Sequence, residues 1–254
     1  FEAGAVSYLY YADRIYQINL AIAGIAVGTV SLPVLAKKIK MKSISQALSI
    51  QIKSTELCLL LSIPASIGLI IASDEITNAL FGYGSFSKTD VQITSLALKY
   101  FGYGVSGFAL VKVLSNFFFA RDNTKTPFYV SLFNVSLNIS ISLIFFSSVG
   151  FLIIPIATSI AAWSSVLIYL ILLKKNKFIN ADFFFNKNYI KICLATFIMA
   201  LALYFSINFF EDKLIYSNYY KSFYLIIVIA FSAMVYLIIS NLLGVLKVKN
   251  FKTN

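Results

Sequence analysis

The 254-residue sequence contains no histidine, two cysteines, four prolines and a single tryptophan, and only 12% of it is charged. Without histidine or a CxxC pair, a zinc or haem site has few ligands to draw on. Cys58 and Cys193 lie far apart inside apolar runs and read as small core residues, with no disulfide or metal site implied. The scarcity of charge excludes a disordered tail and an ordinary water-soluble enzyme, of which about a quarter would be charged. No GxSxG, no Walker-type phosphate loop and no HExxH occurs, so the familiar hydrolase, kinase and metalloprotease chemistries have no anchor. Intramembrane proteolysis would want paired acids or a Ser–His pair, and neither is present. The last apolar run, 222–243, carries no lysine, which removes a retinal-type seven-helix protein.

Apolar length is what the chain has in abundance: 59% hydrophobic residues, with 24 Phe and 16 Tyr. A membrane span needs ~20 apolar residues as a helix. Seven runs qualify, at about 5–36, 56–71, 91–120, 128–149, 151–173, 190–209 and 222–243. The second can extend toward Phe81, because Ile76, Ala79, Leu80 and Phe81 continue it at helical spacing. Strands of a membrane barrel would be ~10 residues long and alternate in polarity; these runs do neither. The fold class is therefore all-α integral membrane. Between the first two runs, 41–53 places Ile44, Ala47, Leu48 and Ile52 on one helical face. That predicts an amphipathic helix lying in the interface.

The formal net charge is +11, from 21 Lys and Arg against 10 Asp and Glu. No basic-aromatic module for nucleic acid accompanies it, and none is expected as a partner. The cations fall in loops that follow odd-numbered runs: Lys37, Lys38, Lys40, Lys42 and Lys53, then Arg121 and Lys125, then Lys174, Lys175, Lys177, Lys187 and Lys191, and in the tail Lys247, Lys249 and Lys252. Opposite loops hold Lys88, Lys99, Lys213 and Lys221 with the acids Glu2, Asp74, Glu75, Asp90, Glu211 and Asp212. The positive-inside rule then places the first loop set and the C-terminus in the cytoplasm, with the bilayer and its anionic lipids as partner.

Two cations remain inside the runs, Arg14 and Lys112, beside the acid Asp13; Glu56 starts the second run. Ionisable groups at membrane depth face a wet cavity or a partner. Asp13 and Arg14 are adjacent, hence about 100° apart on a helix, and do not neutralise each other along one face. At helical spacing Ser7, Tyr10, Arg14, Gln17, Ala21, Gly24 and Gly28 form one stripe, polar in its first half and small in its second. Such a helix lines a cavity at one end and packs backbone-close at the other. A straight helix of this run would be ~48 Å against a ~30 Å hydrocarbon core, so it must tilt, protrude or bend near 19–24. The Arg14 fork suits a phosphate or carboxylate on a transport path; the alternative is an ion pair with an acid on a neighbouring helix. Lys112 can equally face water, snorkel or meet a backbone carbonyl. Asn134 and Asn138, one turn apart, with Thr158 in reach, are either interhelical hydrogen-bonding groups or ligands of a sodium ion.

The stretch 4–14, GAVSYLYYADR, resembles a signature of the MurJ/MviN family of lipid II flippases. So do 24–33, GIAVGTVSLP; 80–86, LFGYGSF; 112–114, KVL; and 118–127, FFARDNTKTP, in the same order. The resemblance implies a fourteen-helix transporter of the MOP exporter superfamily, of which these seven helices would be the second lobe, with the N-terminal lobe outside this sequence. It implies an inner-membrane flippase for peptidoglycan synthesis and cell shape, not an enzyme. Its substrate would be lipid II, undecaprenyl-pyrophosphate-linked, moved by alternating access. Arg14 and Asp13 would belong to the central cavity, with Ser7, Tyr10 and Gln17 beside them. Some members carry an acid where this chain has Gln17. Asn134, Asn138 and Thr158 would correspond to sodium ligands, and the last two helices would form a groove for the lipid tail. Rival readings are a related exporter of other polyprenyl-linked glycans or drugs, and a non-transporting membrane remnant or scaffold.

Overall fold

In the computed structural model, residues 4–246 are described, and they form helices joined by short turns, with no strand among them. Glu2, Lys247, Lys249 and Lys252, counted above in the charge pattern, lie outside these residues. The first apolar run is one helical rod with an internal irregularity. It comprises α1 (Ala5–Leu20), a π-helical stretch Ala21–Ala26, and α2 (Val27–Lys40). The expected bend region thus coincides with a widened turn, the usual form in which a long helix absorbs an extra residue.

The second run differs from expectation. Segment 41–53 is not a separate interfacial helix; it supplies the opening turns of α3, which runs unbroken over Ile44–Ile71. Nothing between Ile44 and Pro64 removes a backbone donor or favours a turn, so the helix has no reason to stop. One face of that opening half is buried through Ala47 and Gln51. The extension toward Phe81 exists, but as a short α4 (Ser73–Phe81) set off by a break at Ala72.

Helix α5 (Lys88–Phe119) is the axis of the bundle, packed on by α1, α2, α3, α4 and α7. It begins with a capping box: Asp90 N–H donates to Ser87 Oγ (3.2 Å) while Ser87 N–H donates to Asp90 Oδ2 (2.7 Å). Tyr8 Oη donates to Asp90 Oδ1 at 2.5 Å and so ties the start of α1 to the start of α5. Midway, small residues let neighbours reach the α5 backbone. Ser66 of α3 donates to Gly102 O (2.5 Å), and from α7 (Ile153–Lys175) Ser159 donates to Tyr100 O (2.7 Å) and Trp163 Nε1 to Tyr103 O (2.8 Å). Close approach of this kind is how helices associate where lipid gives no hydrophobic drive.

Helix α6 (Lys125–Val149) folds back onto α7 through a 3₁₀ turn, Gly150–Leu152, in which Gly150 takes φ +69°, a conformation open to glycine. The two make one apolar run of 51 residues, Lys125–Lys175, about twice what one crossing needs. Among the described residues six helical runs are long and apolar enough to cross a membrane, this one included. After α8 (Ala181–Phe184), α9 (Lys187–Phe209), α10 (Glu211–Leu214) and α11 (Lys221–Leu242) complete the chain, with α9 packed on both α3 and α11.

A side chain at Gly104 would place its Cβ 2.6 Å from Ser159 Oγ and 3.0 Å from Ser159 Cα, whereas a Cβ at Gly68 meets nothing within 4 Å. Gly104→Val should therefore force α5 and α7 apart and cost about 1–3 kcal/mol, read as a lowered melting temperature in detergent. Gly68→Ala should leave it unchanged or raise it by helix propensity.

Candidate functional site

The stripe on the first helix divides as its composition predicts. Ser7, Tyr10, Arg14, Gln17 and Ala21 are exposed, while Ala5, Ala12, Ile15 and Tyr16 bury the opposite face. Further along, Gly24 and Gly28 are buried against α5: a Cβ on Gly28 would sit 2.9 Å from Asn116 Nδ2, which donates to Gly28 O at 2.8 Å.

Arg14 stands on the open half. Its Nη2 donates to Tyr10 Oη at 3.0 Å, and the guanidinium lies 4.7 Å from the centre of the same ring. Tyr10 is one turn earlier, so this contact stays within the helix and steadies the side chain without a charge partner. Asp13 does not serve as one; it accepts a hydrogen bond from Gln17 Nε2. Among the described residues Arg14 is in no ion pair, and most of its five N–H donors are left free. The arrangement is a charged fork on an open face, able to meet an anion from outside this bundle.

Lys112 is carried by α5. Its side chain is exposed and lines a 650 Å³ cavity between α2, α5 and α6, together with Gly28, Thr29, Asn116 and Ser131. Gly28 comes fourteen residues after Arg14, ~20 Å along the first helix. The first helix also contributes Ile15, Ile18 and Asn19 to an apolar groove of 610 Å³, walled by α3 (Leu61, Pro64, Gly68) and α11 (Ile226, Ile229, Ala233), with α9 adding Met199 and Leu203.

The asparagines of α6 are paired. Asn134 Nδ2 donates to Ser165 Oγ (2.9 Å) and Asn138 Nδ2 to Thr158 Oγ1 (2.8 Å). Each hydroxyl in turn donates to its own helix, Ser165 to Ala161 O and Thr158 to Ile154 O. The hydroxyls therefore need donors from α6, and the amide NH₂ groups rather than the carbonyl oxygens face them. That orientation suits an interhelical polar zipper and does not fit a sodium ion, whose ligands must be converging oxygens.

Three polar clusters were not visible in the sequence. Lys221, counted among loop cations, is 1% exposed: its Nζ donates to Gly82 O (2.5 Å), Tyr216 O (2.9 Å) and Asn78 Oδ1 (3.1 Å), between the rings of Tyr83 and Tyr216. Three oxygens and two aromatic faces replace its water, although α11 begins at this residue and a helix start normally predicts a wet lysine. Arg121, likewise counted as a loop cation, lies 4.0 Å from the centre of the Phe178 ring and donates to Phe117 O. Burial lowers its pKa to about 10, which leaves it charged at neutral pH. Glu56 links α3 to the start of α9 by accepting from Asn186 and Asn188. The one signal for these clusters was a charged residue flanked by aromatic or amide residues, a pattern too common to single them out.

Comparison with known proteins meets this architecture directly. Residues 1–230 match the family model described as "Lipid II flippase MurJ". The chain belongs to the MurJ family of lipid II flippases. A probable lipid II flippase MurJ of Rickettsia prowazekii (strain Madrid E) is 39% identical over 178 residues, covering 70% of this chain and 35% of that protein. Another, of Haemophilus influenzae (strain ATCC 51907 / DSM 11121 / KW20 / Rd), is 30% identical over 256 residues, covering 96% of this chain and 49% of its own. A solved structure of "Lipid II flippase MurJ, inward closed conformation" superposes with a TM-score of 0.79 at 28% identity, over 96% of this chain and 48% of that one. The chain thus spans between about a third and a half of the MurJ relatives' length. With the apolar helices above, MurJ membership makes it a multi-pass membrane protein.

The paired asparagines give a direct test within this MurJ-family chain. A double-mutant cycle of Asn138→Leu and Thr158→Val should show a coupling of roughly 0.6 kcal/mol in detergent unfolding. Exchanging sodium for choline should leave the melting temperature where it was.

Proposed function

We propose that this chain is the second lobe of a lipid II flippase and carries the lipid-linked peptidoglycan precursor outward by alternating access. The observation that supports it is Arg14: a guanidinium within the first apolar run, on the family's YYADR motif, in no ion pair among the described residues and with most of its donors free. A pyrophosphate between sugar head and polyprenyl tail is a suitable anion for that fork. Tyr10 holds the guanidinium clear of the helix, Asp13 and Gln17 form a neighbouring polar pair that orients the headgroup, and Ser7 extends the wet strip. The apolar lining of the groove along α3 and α11 has the chemistry for a polyprenyl chain. Seven crossings, with α6 and α7 as two of them, put the C-terminus in the cytoplasm of a bacterial inner membrane. The first lobe of the same protein is the partner that closes the cavity, and rocking of one lobe against the other moves the headgroup without covalent chemistry. The family membership and the open guanidinium favour this over an exporter of other glycans or drugs, and over a passive scaffold.

In the full-length flippase, Arg14→Ala should abolish rescue of a flippase-depleted strain at normal expression, a loss of at least 100-fold in viable count. Arg14→Lys should rescue partly, since it keeps charge but not the fork. Full growth of the alanine variant would remove Arg14 from the mechanism.

A further inference from the structure

At the end of the bundle where α3 begins, a cavity of 470 Å³ opens between the first half of α3, the start of α9 and Val245 beyond α11. Ser45, Ser49, Lys53 and Glu56 of α3 line it, spaced four, four and three residues apart and so on one face of the helix. Asn188 of α9 completes the polar wall. The Glu56 carboxylate is used on one side only. Its Oε1 accepts from Asn186 Nδ2 and from Asn188 Nδ2 (2.8 Å), while Oε2 has no hydrogen-bond partner among the described residues and is not sealed off. Lys53, one turn away and exposed, makes no ion pair with it among those residues. A half-buried carboxylate beside apolar surface, fixed by two amides and lacking a cation, has an open place for one.

The floor of the cavity is apolar. Leu57 and Leu60 form it, and Leu60 also lines the 610 Å³ groove along α3 and α11. A polar chamber with one fixed anion and one exposed cation therefore shares a wall, Leu60, with an apolar groove. We infer that this chamber, formed by Glu56, Lys53, Ser45 and Ser49, binds the headgroup of a phospholipid that carries a primary ammonium next to a phosphodiester. The ammonium donates to Glu56 Oε2. The phosphodiester meets the Lys53 ammonium and the hydroxyls of Ser45 and Ser49, and an acyl chain leaves past Leu60. A quaternary ammonium has no N–H to give and an anionic headgroup meets Glu56 charge to charge, so the chamber discriminates among bilayer lipids. The inference stands apart from the role of Arg14, which lies on another face.

Native mass spectrometry of the delipidated full chain in detergent tests it, with dioleoyl phosphatidylethanolamine, phosphatidylcholine and phosphatidylglycerol as probes. Retention of phosphatidylethanolamine should exceed that of the other two about tenfold, the scale of one charge-assisted hydrogen bond. Glu56→Gln keeps an acceptor for Asn186 and Asn188 but loses the charge, and should erase the preference with helicity and melting temperature unchanged. Ser49→Leu, at an exposed position, should block binding by filling the chamber. Water-soluble glycerophosphoethanolamine at the same concentration should not bind. Equal retention of the three lipids by the unaltered chain, an undiminished preference in both variants, or equal binding of the soluble headgroup would each overturn the inference.

Discussion

A charged group within an apolar run must be solvated by something, and among the described residues the Arg14 guanidinium is held by the hydroxyl and ring of Tyr10 and by no ion pair. That deficit constrains everything around it. The helix carrying Arg14 must leave that face open to water, to a ligand or to another lobe, and must bury its opposite face to stay in place. Ala12, Ile15 and Tyr16 do the burying, with Tyr16 stacked on Phe101 of α5 at 4.7 Å between ring centres. Gly24 and Gly28 then bring the same helix close against α5. The open and the packed halves are two consequences of one sequence stripe.

The rest of the bundle can be understood as the platform that keeps this helix rigid. With lipid outside, apolar surface alone gives the helices little reason to choose each other, so small residues and side-chain hydrogen bonds to exposed carbonyls make the choice. α5 accepts three of these bonds in its glycine-rich middle, from Ser66 on one side and Ser159 and Trp163 on the other. At its start, the Asp90 capping box receives Tyr8, one and a half turns before Arg14. Helix ends and helix middle are thus fixed by separate devices, both anchored on α5.

How much of this the sequence discloses depends on the range of the signal. Apolar length and loop charge are local, and they locate every long helix; helical spacing is local too, and it separates the polar from the small half of the first helix. The same locality misleads at 41–53, where an amphipathic pattern with no breaker after it is simply the start of α3. Lys221 fails for the opposite reason: Asn78 and Gly82, more than 130 residues away in the chain, are what make its burial possible, and no periodicity reports on them. The groove along α3 and α11 is likewise a property of tertiary spacing; the resemblance pointed to the last two helices, whereas α3 provides much of the wall.

Sorting the intramembrane polar groups by whether their partners lie inside the bundle separates architecture from action. Asn134 with Ser165, Asn138 with Thr158, and Lys221 with its three oxygens are partnered inside the bundle and hold its helices together. Arg14 and Lys112 are open: both are exposed, and neither is in an ion pair among the described residues. An unmatched cation in a low-dielectric setting is costly to keep, far more so than a surface charge. Other buried polar atoms also lack a hydrogen-bond partner among the described residues, Ser62, Thr94 and Ser106 among them, but all except Glu75 Oε2 are neutral hydroxyls, whose desolvation costs less than that of a charge. On the proposed reading, an anion arriving at Arg14 offsets the cost of that cation.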